Sequence, residues 1–130
     1  MTPRARLLLL LLGSVSAVAG CSHEPNGPTA GTLNVSLSSP NGDDGAVLFT
    51  VSGGPVDSVA AGGHQVYSAR LDPNTLRVVV IGDLASGDLA TIYIADTRLA
   101  SGYTATVNQV AARATYAQRD AASYSLSLSP

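Results

Sequence analysis

Hydrophobic and polar residues alternate with a period of two along most of the chain after residue 30. In the first such run, Leu33, Val35 and Leu37 are separated by single polar residues. A period of two places successive side chains on opposite faces of a strand, whereas an amphipathic helix needs a period near 3.6. Strands are therefore predicted at residues 33–37, 46–51, 56–61, 65–71, 76–81, 89–95, 103–112 and 124–128.

Glycine, proline, asparagine and aspartate punctuate these runs, and only residues 113–122 are left as a candidate helical turn. Seven or eight short strands with frequent turn signals predict an all-β fold, a single immunoglobulin-like antiparallel β-sandwich over residues 31–130. A slip in the alternation between Val107 and Val110 predicts a β-bulge near Asn108 and Gln109.

The segment Asp72-Pro73-Asn74-Thr75 predicts the turn of a hairpin, because Pro73 presets the backbone and Asp72 can cap it. A four-residue loop would set Leu71 opposite Leu76, and hence Arg70 opposite Arg77 on the outward face. Two facing arginines are a candidate contact for an anion or a partner protein. The alternative is that both are solvated beside nearby aspartates.

The first twenty residues differ from the rest, with Arg4 and Arg6 followed by an unbroken apolar block from Leu7 to Leu12. The apolar stretch, about 13 residues long, is too short to cross roughly 30 Å of hydrocarbon as a helix. Residues 1–20 are therefore predicted to be a signal peptide rather than a permanent anchor.

This segment ends in Val18, Ala19, Gly20 and Cys21, which resembles the lipobox of bacterial lipoproteins. The resemblance implies export, cleavage between Gly20 and Cys21, and attachment to the membrane through a lipid on Cys21, which carries acyl chains such as palmitate. Ser22 resembles the residue that directs lipoproteins to the outer membrane, on its periplasmic or its surface face. The alternative, an ordinary thiol, would leave the chain's one cysteine unpaired in an exported protein.

Residues 21–30 contain Pro25, Gly27 and Pro28 and are predicted to be a flexible tether. From Cys21 onward, five arginines stand against one glutamate and eight aspartates, and the chain has no lysine, so the net charge is −4. So few positive groups exclude neutralisation of a nucleic-acid backbone. No nucleic-acid partner is expected.

Between residues 71 and 96, Asp-Pro-Asn-Thr-Leu, a valine-rich strand and Ser-Gly-Asp-Leu-Ala-Thr-Ile-Tyr-Ile follow one another. This order is similar to the middle of a cohesin module, and the resemblance covers about a fifth of the chain. It implies a non-catalytic sandwich that binds a protein partner. The domain is short for a cohesin, so the resemblance bears on the fold more than on the partner.

Candidate chemistry is sparse. A hydrolase would have to use His64, the only histidine of the domain, with an aspartate and a serine such as Ser52, Ser58 or Ser68, none of which lies in a nucleophile-elbow pattern. No catalytic residue is therefore predicted, and one histidine is too few for a usual zinc site.

Calcium is the one cofactor worth testing, because Asn41, Asp43 and Asp44 place oxygen ligands in a single turn. An ordinary turn is the alternative. For carbohydrate, the chain offers no tryptophan and five tyrosines, of which Tyr93 is expected to point outward. Val79 and Ile81 are expected on the outward face with Arg77, where they are either covered by another segment or form an apolar partner site.

These observations together predict a non-catalytic, lipid-anchored cell-envelope protein whose domain is a protein-interaction or structural module. Its partners would be the membrane, through Cys21, and another envelope or extracellular protein. Two alternatives stay open: a surface lipoprotein that binds a small ligand, carbohydrate or calcium, and a hydrolase built on His64.

Overall fold

The computed structural model describes residues 27–130, so the predicted signal peptide, Cys21 and most of the tether lie outside the described residues. The described chain forms two antiparallel β-sheets packed as a sandwich, which confirms the predicted all-β fold. It contains nine strands: β1 Gly31–Ser38, β2 Asp44–Ser52, β3 Ser58–Ala60, β4 Gln65–Asp72, β5 Thr75–Leu84, β6 Gly87–Ile94, β7 Thr104–Ala112, β8 Gln118–Arg119 and β9 Ser125–Ser129.

One sheet has four strands in the order β3-β6-β1-β9, and the other has five in the order β4-β5-β2-β7-β8. The sequence pattern predicted seven or eight strands, and it missed the two-residue β8 because so short a strand carries no periodicity. Two short 3₁₀ helices, Thr97–Gly102 and Ala121–Ser123, connect strands at the ends of the sandwich. The second overlaps the end of residues 113–122, the stretch expected to hold a helical turn, and extends one residue beyond it.

The core lies between the sheets and is built from the alternate residues of each strand. In β2, Val47, Phe49 and Val51 have no exposed surface, while Leu48 and Thr50 on the other face are only half-buried. In β1, Leu33, Val35 and Leu37 are buried in the same way. Burying each such side chain stabilises the fold by about 1.5–3 kcal/mol, so the period-two pattern fixes which face of each sheet packs inward.

The predicted bulge in β7 is confirmed. Leu48 pairs with Gln109 and the next residue, Phe49, pairs with Val107, so that Asn108 is the extra residue. The bulge keeps Val107 and Val110 on the core side although they are three residues apart. The side chain of Asn108 accepts a hydrogen bond of 2.6 Å from the Thr50 hydroxyl.

The predicted register of the β4–β5 hairpin is wrong. The turn has two residues, since Asp72 pairs with Thr75, and a register shift follows at once so that Arg70 pairs with Leu76 and Ala69 with Arg77. The Asp72 side chain accepts a hydrogen bond of 2.8 Å from the Asn74 backbone N–H, which stabilises the tighter turn. Leu71 is the residue that the shift leaves without a partner.

Candidate functional site

The outer face of the five-stranded sheet has an apolar region at the end where β2 starts. Strand pairing places Ala46 between Ile81 and Ala111, and it places Leu48 next to Val79. All five side chains are half-buried, and they point away from the core because their neighbours in each strand point into it. We call these five residues the apolar patch.

Tyr116 lies over one border of the apolar patch. The turn between β7 and β8 is closed by backbone hydrogen bonds from Tyr116 N to Ala112 O (3.0 Å) and from Ala112 N to Ala117 O (2.9 Å). Tyr116 adopts a left-handed conformation, with a φ of 55°, and its side chain is 74% exposed. A left-handed non-glycine residue is uncommon and worth noting as a functional candidate.

Tyr116 and the patch together line an open groove of about 390 Å³, with Gln109 and Gln118 supplying polar groups. This volume is within the range of small-ligand pockets, roughly 300–1,000 Å³. The sequence left open whether Val79 and Ile81 are covered or form a partner site. Val79 lines this open groove, and Ile81 lines an adjoining depression that Tyr116 also lines, so no described strand or helix covers them completely.

Elsewhere the outer faces carry many serine, threonine and asparagine side chains, although Tyr67, Leu71, Tyr93 and Leu99 are also exposed. Farther along the same sheet, the Ser52 and Thr104 hydroxyls are hydrogen-bonded to each other at 2.9 Å. On the outer face of the four-stranded sheet, the Thr91 hydroxyl donates to the Asn34 side chain at 3.4 Å. Tyr93 lies on that face and is 42% exposed, so its predicted outward orientation is confirmed. The apolar patch thus differs from the polar surfaces around it.

Arg70 and Arg77 do not form the joint contact that the sequence suggested, because the observed register puts them on opposite faces of the sheet. The Arg70 guanidinium donates a hydrogen bond of 2.7 Å to the Val56 carbonyl, on the core side of β4. Arg77 is exposed on the outer face, in the same cross-strand row as Ala69 and Thr50. A single anion contacting both arginines is therefore not supported.

The candidate calcium residues take part in a hydrogen-bonded network instead. Asp44 is fully buried, and its Oδ1 accepts hydrogen bonds from Arg119 Nη1 (2.7 Å) and from the Tyr124 hydroxyl (2.7 Å). Its other oxygen accepts from the Ser39 hydroxyl. The Asn41 amide donates to Tyr124 at 2.9 Å. The oxygens of Asp44 that would coordinate an ion are thus occupied by donors of the protein.

Asp43 is on the exposed side of the same network and pairs with Arg119 Nη1 at 2.8 Å. Within residues 27–130, no group of three or more histidine, cysteine, aspartate or glutamate side chains is placed to hold a metal ion. A calcium site at Asn41, Asp43 and Asp44 therefore receives no support. Sequence reasoning missed this role because Arg119 and Tyr124 lie about 80 residues away in the chain.

Electrostatics agree with the network. The hydrogen bond from Arg119 lowers the pKa of Asp43 below its ordinary value of 3.8, and the hydrogen bond to Asp43 is the largest cause of the raised pKa of Arg119. A carboxyl group with a lowered pKa in the folded state stabilises the fold above its unfolded pKa. This contribution is lost as the pH falls through the lowered value, and so it is fully present at neutral pH.

His64 lies in a separate depression of about 260 Å³, which is also lined by Asn34 and Asp88. The His64 backbone N–H bonds to Ala61 O at 3.1 Å in the tight turn before β4. The candidate nucleophiles Ser52, Ser58 and Ser68 are not among the residues that line this depression. The depression thus contains no candidate nucleophile beside His64.

The residues of the predicted lipid attachment, Gly20 and Cys21, lie outside the described residues. None of the helices in the described part of the chain is long and apolar enough to span a bilayer.

Comparison with known proteins does not assign this chain to a family. No family model, no curated protein and no solved structure matches it.

Proposed function

We propose that this chain is a non-catalytic, lipid-anchored cell-envelope protein whose sandwich domain acts as a protein-interaction or structural module. The observation that carries the proposal is the apolar patch, five adjoining uncharged side chains on the outer face of the five-stranded sheet. Partner sites are commonly exposed apolar areas with a polar rim. Gln109 and Gln118 form such a rim here.

The position of the patch suits an anchored protein. The Thr29 carbonyl, just before β1, accepts a hydrogen bond of 2.8 Å from the Thr97 N–H, so the tether joins the sandwich at the end where β7 begins. Ala46 and Ala111, in contrast, lie at the opposite end of their strands, near the start of β2 and the end of β7. A partner can therefore approach the patch from the side away from the proposed membrane attachment.

The anchor is tested by expressing the full chain in a bacterium fed with labelled palmitate. We expect the wild-type chain to take up label and the Cys21→Ser variant to take up none, because only the thiol of Cys21 can receive the lipid. The matched control, Ser22→Ala, retains the residue that is modified and should still be labelled. Equal labelling of the wild-type and Cys21→Ser chains, or no labelling of either, would refute the anchor.

The interaction site is tested with Leu48→Lys, which places a charge at the centre of the apolar patch. Desolvating an ammonium group is costly, so we expect the affinity for an envelope protein that co-purifies with the lipidated chain to fall by about tenfold or more. Ser127→Lys adds the same charge to the polar outer face of β9 and should leave the affinity unchanged. The site is wrong if both variants retain the partner equally.

The groove of about 390 Å³ favours one alternative, the binding of a small uncharged ligand such as an oligosaccharide. The Tyr116 ring and the two glutamine amides would supply a stacking surface and hydrogen bonds. The wild-type chain and the Leu48→Lys variant also distinguish ligand binding from protein binding. Thermal stabilisation of the wild-type chain by soluble sugar, absent in Leu48→Lys and without any protein partner, would favour the ligand.

A further inference from the structure

Strand β4 forms an open edge of the five-stranded sheet. Within residues 27–130 it pairs with β5 alone, so the N–H and C=O groups on its other side have no strand partner. Every residue of β4 except Val66 is exposed. An unpaired row of backbone groups is a template for another extended strand.

The other three sheet edges offer much less. Strands β3 and β8, with three and two residues, are too short to support pairing. Strand β9 and the part of β7 that β8 leaves unpaired, residues 104–109, lie against each other. Short edge strands are a common protection against association. Strand β4 is the longest of the four edge strands, with eight residues, of which five precede the irregular region around Leu71.

The side chains of β4 divide it into an open part and a blocked part. Gln65, Val66, Tyr67, Ser68 and Ala69 carry no charge and include neither glycine nor proline. The register shift around Leu71 interrupts the strand immediately afterwards. Bulges of this kind prevent further pairing, so the stretch available to a partner is residues 65–69.

Tyr67 is at the middle of this stretch. Its side chain is 60% exposed, and it pairs with Val79 on the outer face of the sheet, where it lies next to the apolar patch. An exposed aromatic residue on an unpaired edge favours a strand that brings a second large side chain opposite it, because aromatic cross-strand pairs are stabilising.

We propose that two copies of this chain associate through antiparallel pairing of their β4 strands, about a two-fold axis at Tyr67. Opposed residues in an antiparallel pair point to the same face, and this axis sets Tyr67 opposite Tyr67, Gln65 opposite Ala69 and Val66 opposite Ser68. It uses the whole open stretch and excludes Leu71. An axis at Ser68 would set Leu71 opposite Gln65 and draw the irregular part of the strand into the pair.

Such a dimer joins the two five-stranded sheets into one continuous sheet, with the apolar patches of both copies on the same face. A two-fold contact is self-complementary by symmetry. The inference depends neither on the lipid anchor nor on a partner bound at Leu48. Each can fail without the other.

Sedimentation of the full chain in detergent tests the association, with Cys21→Ser in every variant to remove the one native thiol. We expect a dimer for the parent chain and a monomer for Tyr67→Lys, which sets two positive charges opposite each other. Tyr93→Lys changes an exposed tyrosine on the other sheet and should remain a dimer. Cooperative thermal unfolding would show that both lysine variants fold, and Tyr67→Lys should melt below the parent chain because it loses the stabilisation that association provides.

Disulfide formation tests the register. Tyr67→Cys should give a disulfide-linked dimer within minutes of mild oxidation, because residues on the axis approach within disulfide distance. Ala69→Cys on the same face should react at least about tenfold more slowly. The two introduced cysteines would lie four residues apart along the paired strands, about 13 Å at 3.3 Å per residue. The proposal would be overturned if the parent chain were still monomeric at about 0.1 mM, a concentration high enough to detect weak association. It would also be overturned if Tyr67→Lys were a dimer, or if Ala69→Cys formed the disulfide faster than Tyr67→Cys.

Discussion

Replacing Arg119 by methionine should destabilise the domain far more than an ordinary surface substitution does. The change leaves the fully buried Asp44 carboxylate without its ion partner, which is 2.7 Å away in the folded chain. An unpaired buried charge costs about 3–5 kcal/mol. Because the Tyr124 and Ser39 hydroxyls still donate to Asp44, we expect a loss near the lower value, about 3 kcal/mol, in the free energy of unfolding measured with urea.

Arg77→Met is the matched control, because it removes an arginine that is exposed on the outer face of β5. Exposed surface substitutions usually change the stability by no more than about 0.5 kcal/mol, so this variant should melt close to the parent chain. In a double-mutant cycle, Asp44→Ala combined with Arg119→Met should lose less than the sum of the two single changes. Equal losses for Arg119→Met and Arg77→Met would show that Asp44 does not depend on Arg119.

The alternation of residues predicted the fold well, because burial acts on every second residue and leaves a regular trace. Leu33, Val35 and Leu37 point into the core, as their spacing predicts. The β-bulge in β7 could also be predicted in this way, because the extra residue Asn108 interrupts the alternation of apolar residues around it. The position of a strand and the face that it buries depend on neighbouring residues, so a short stretch of sequence is enough to predict them.

The hairpin failed because of the irregularity at Leu71 and not because of the length of the turn. The predicted pairing of Leu71 with Leu76 and the observed pairing of Asp72 with Thr75 belong to the same register, but Leu71 is left unpaired and shifts the rest of β4 by one residue. A slip of one residue moves a side chain to the other face. This error alone produced the supposed pairing of Arg70 with Arg77.

The Asp44 network could not be predicted, because its members are distant in sequence and each is unremarkable alone. Asp43 and Asp44 follow a glycine in a polar turn, which equally suits an ion site. Only the folding of β8 and β9 against this end of the sandwich brings Arg119 and Tyr124 to Asp44. The apolar patch could be predicted in part. The sequence predicted that Val79 and Ile81 point outward, but it contained no signal that Tyr116 lies beside them.

Phe49→Ala should cause a second large loss of stability, about 3–5 kcal/mol, through the cavity that it leaves between the sheets. Phe49 is fully buried at the centre of β2 and has the largest side chain among the residues with almost no exposed surface. The surrounding residues are held in two hydrogen-bonded sheets, so the site can collapse only in part. Urea denaturation of the parent chain and the variant gives the difference directly.

Leu48→Ala is the control for Phe49→Ala. It truncates the preceding residue of the same strand, whose side chain points to the opposite face of the sheet. Leu48 points to the outer face and is half-buried in the apolar patch, so truncating it removes less apolar contact and opens no internal cavity. We expect a loss of no more than about 1 kcal/mol, typical of a surface substitution with modest burial. If Leu48→Ala cost as much as Phe49→Ala, the outer face would be covered in solution. The apolar patch would then be part of a second core and not a site for a partner.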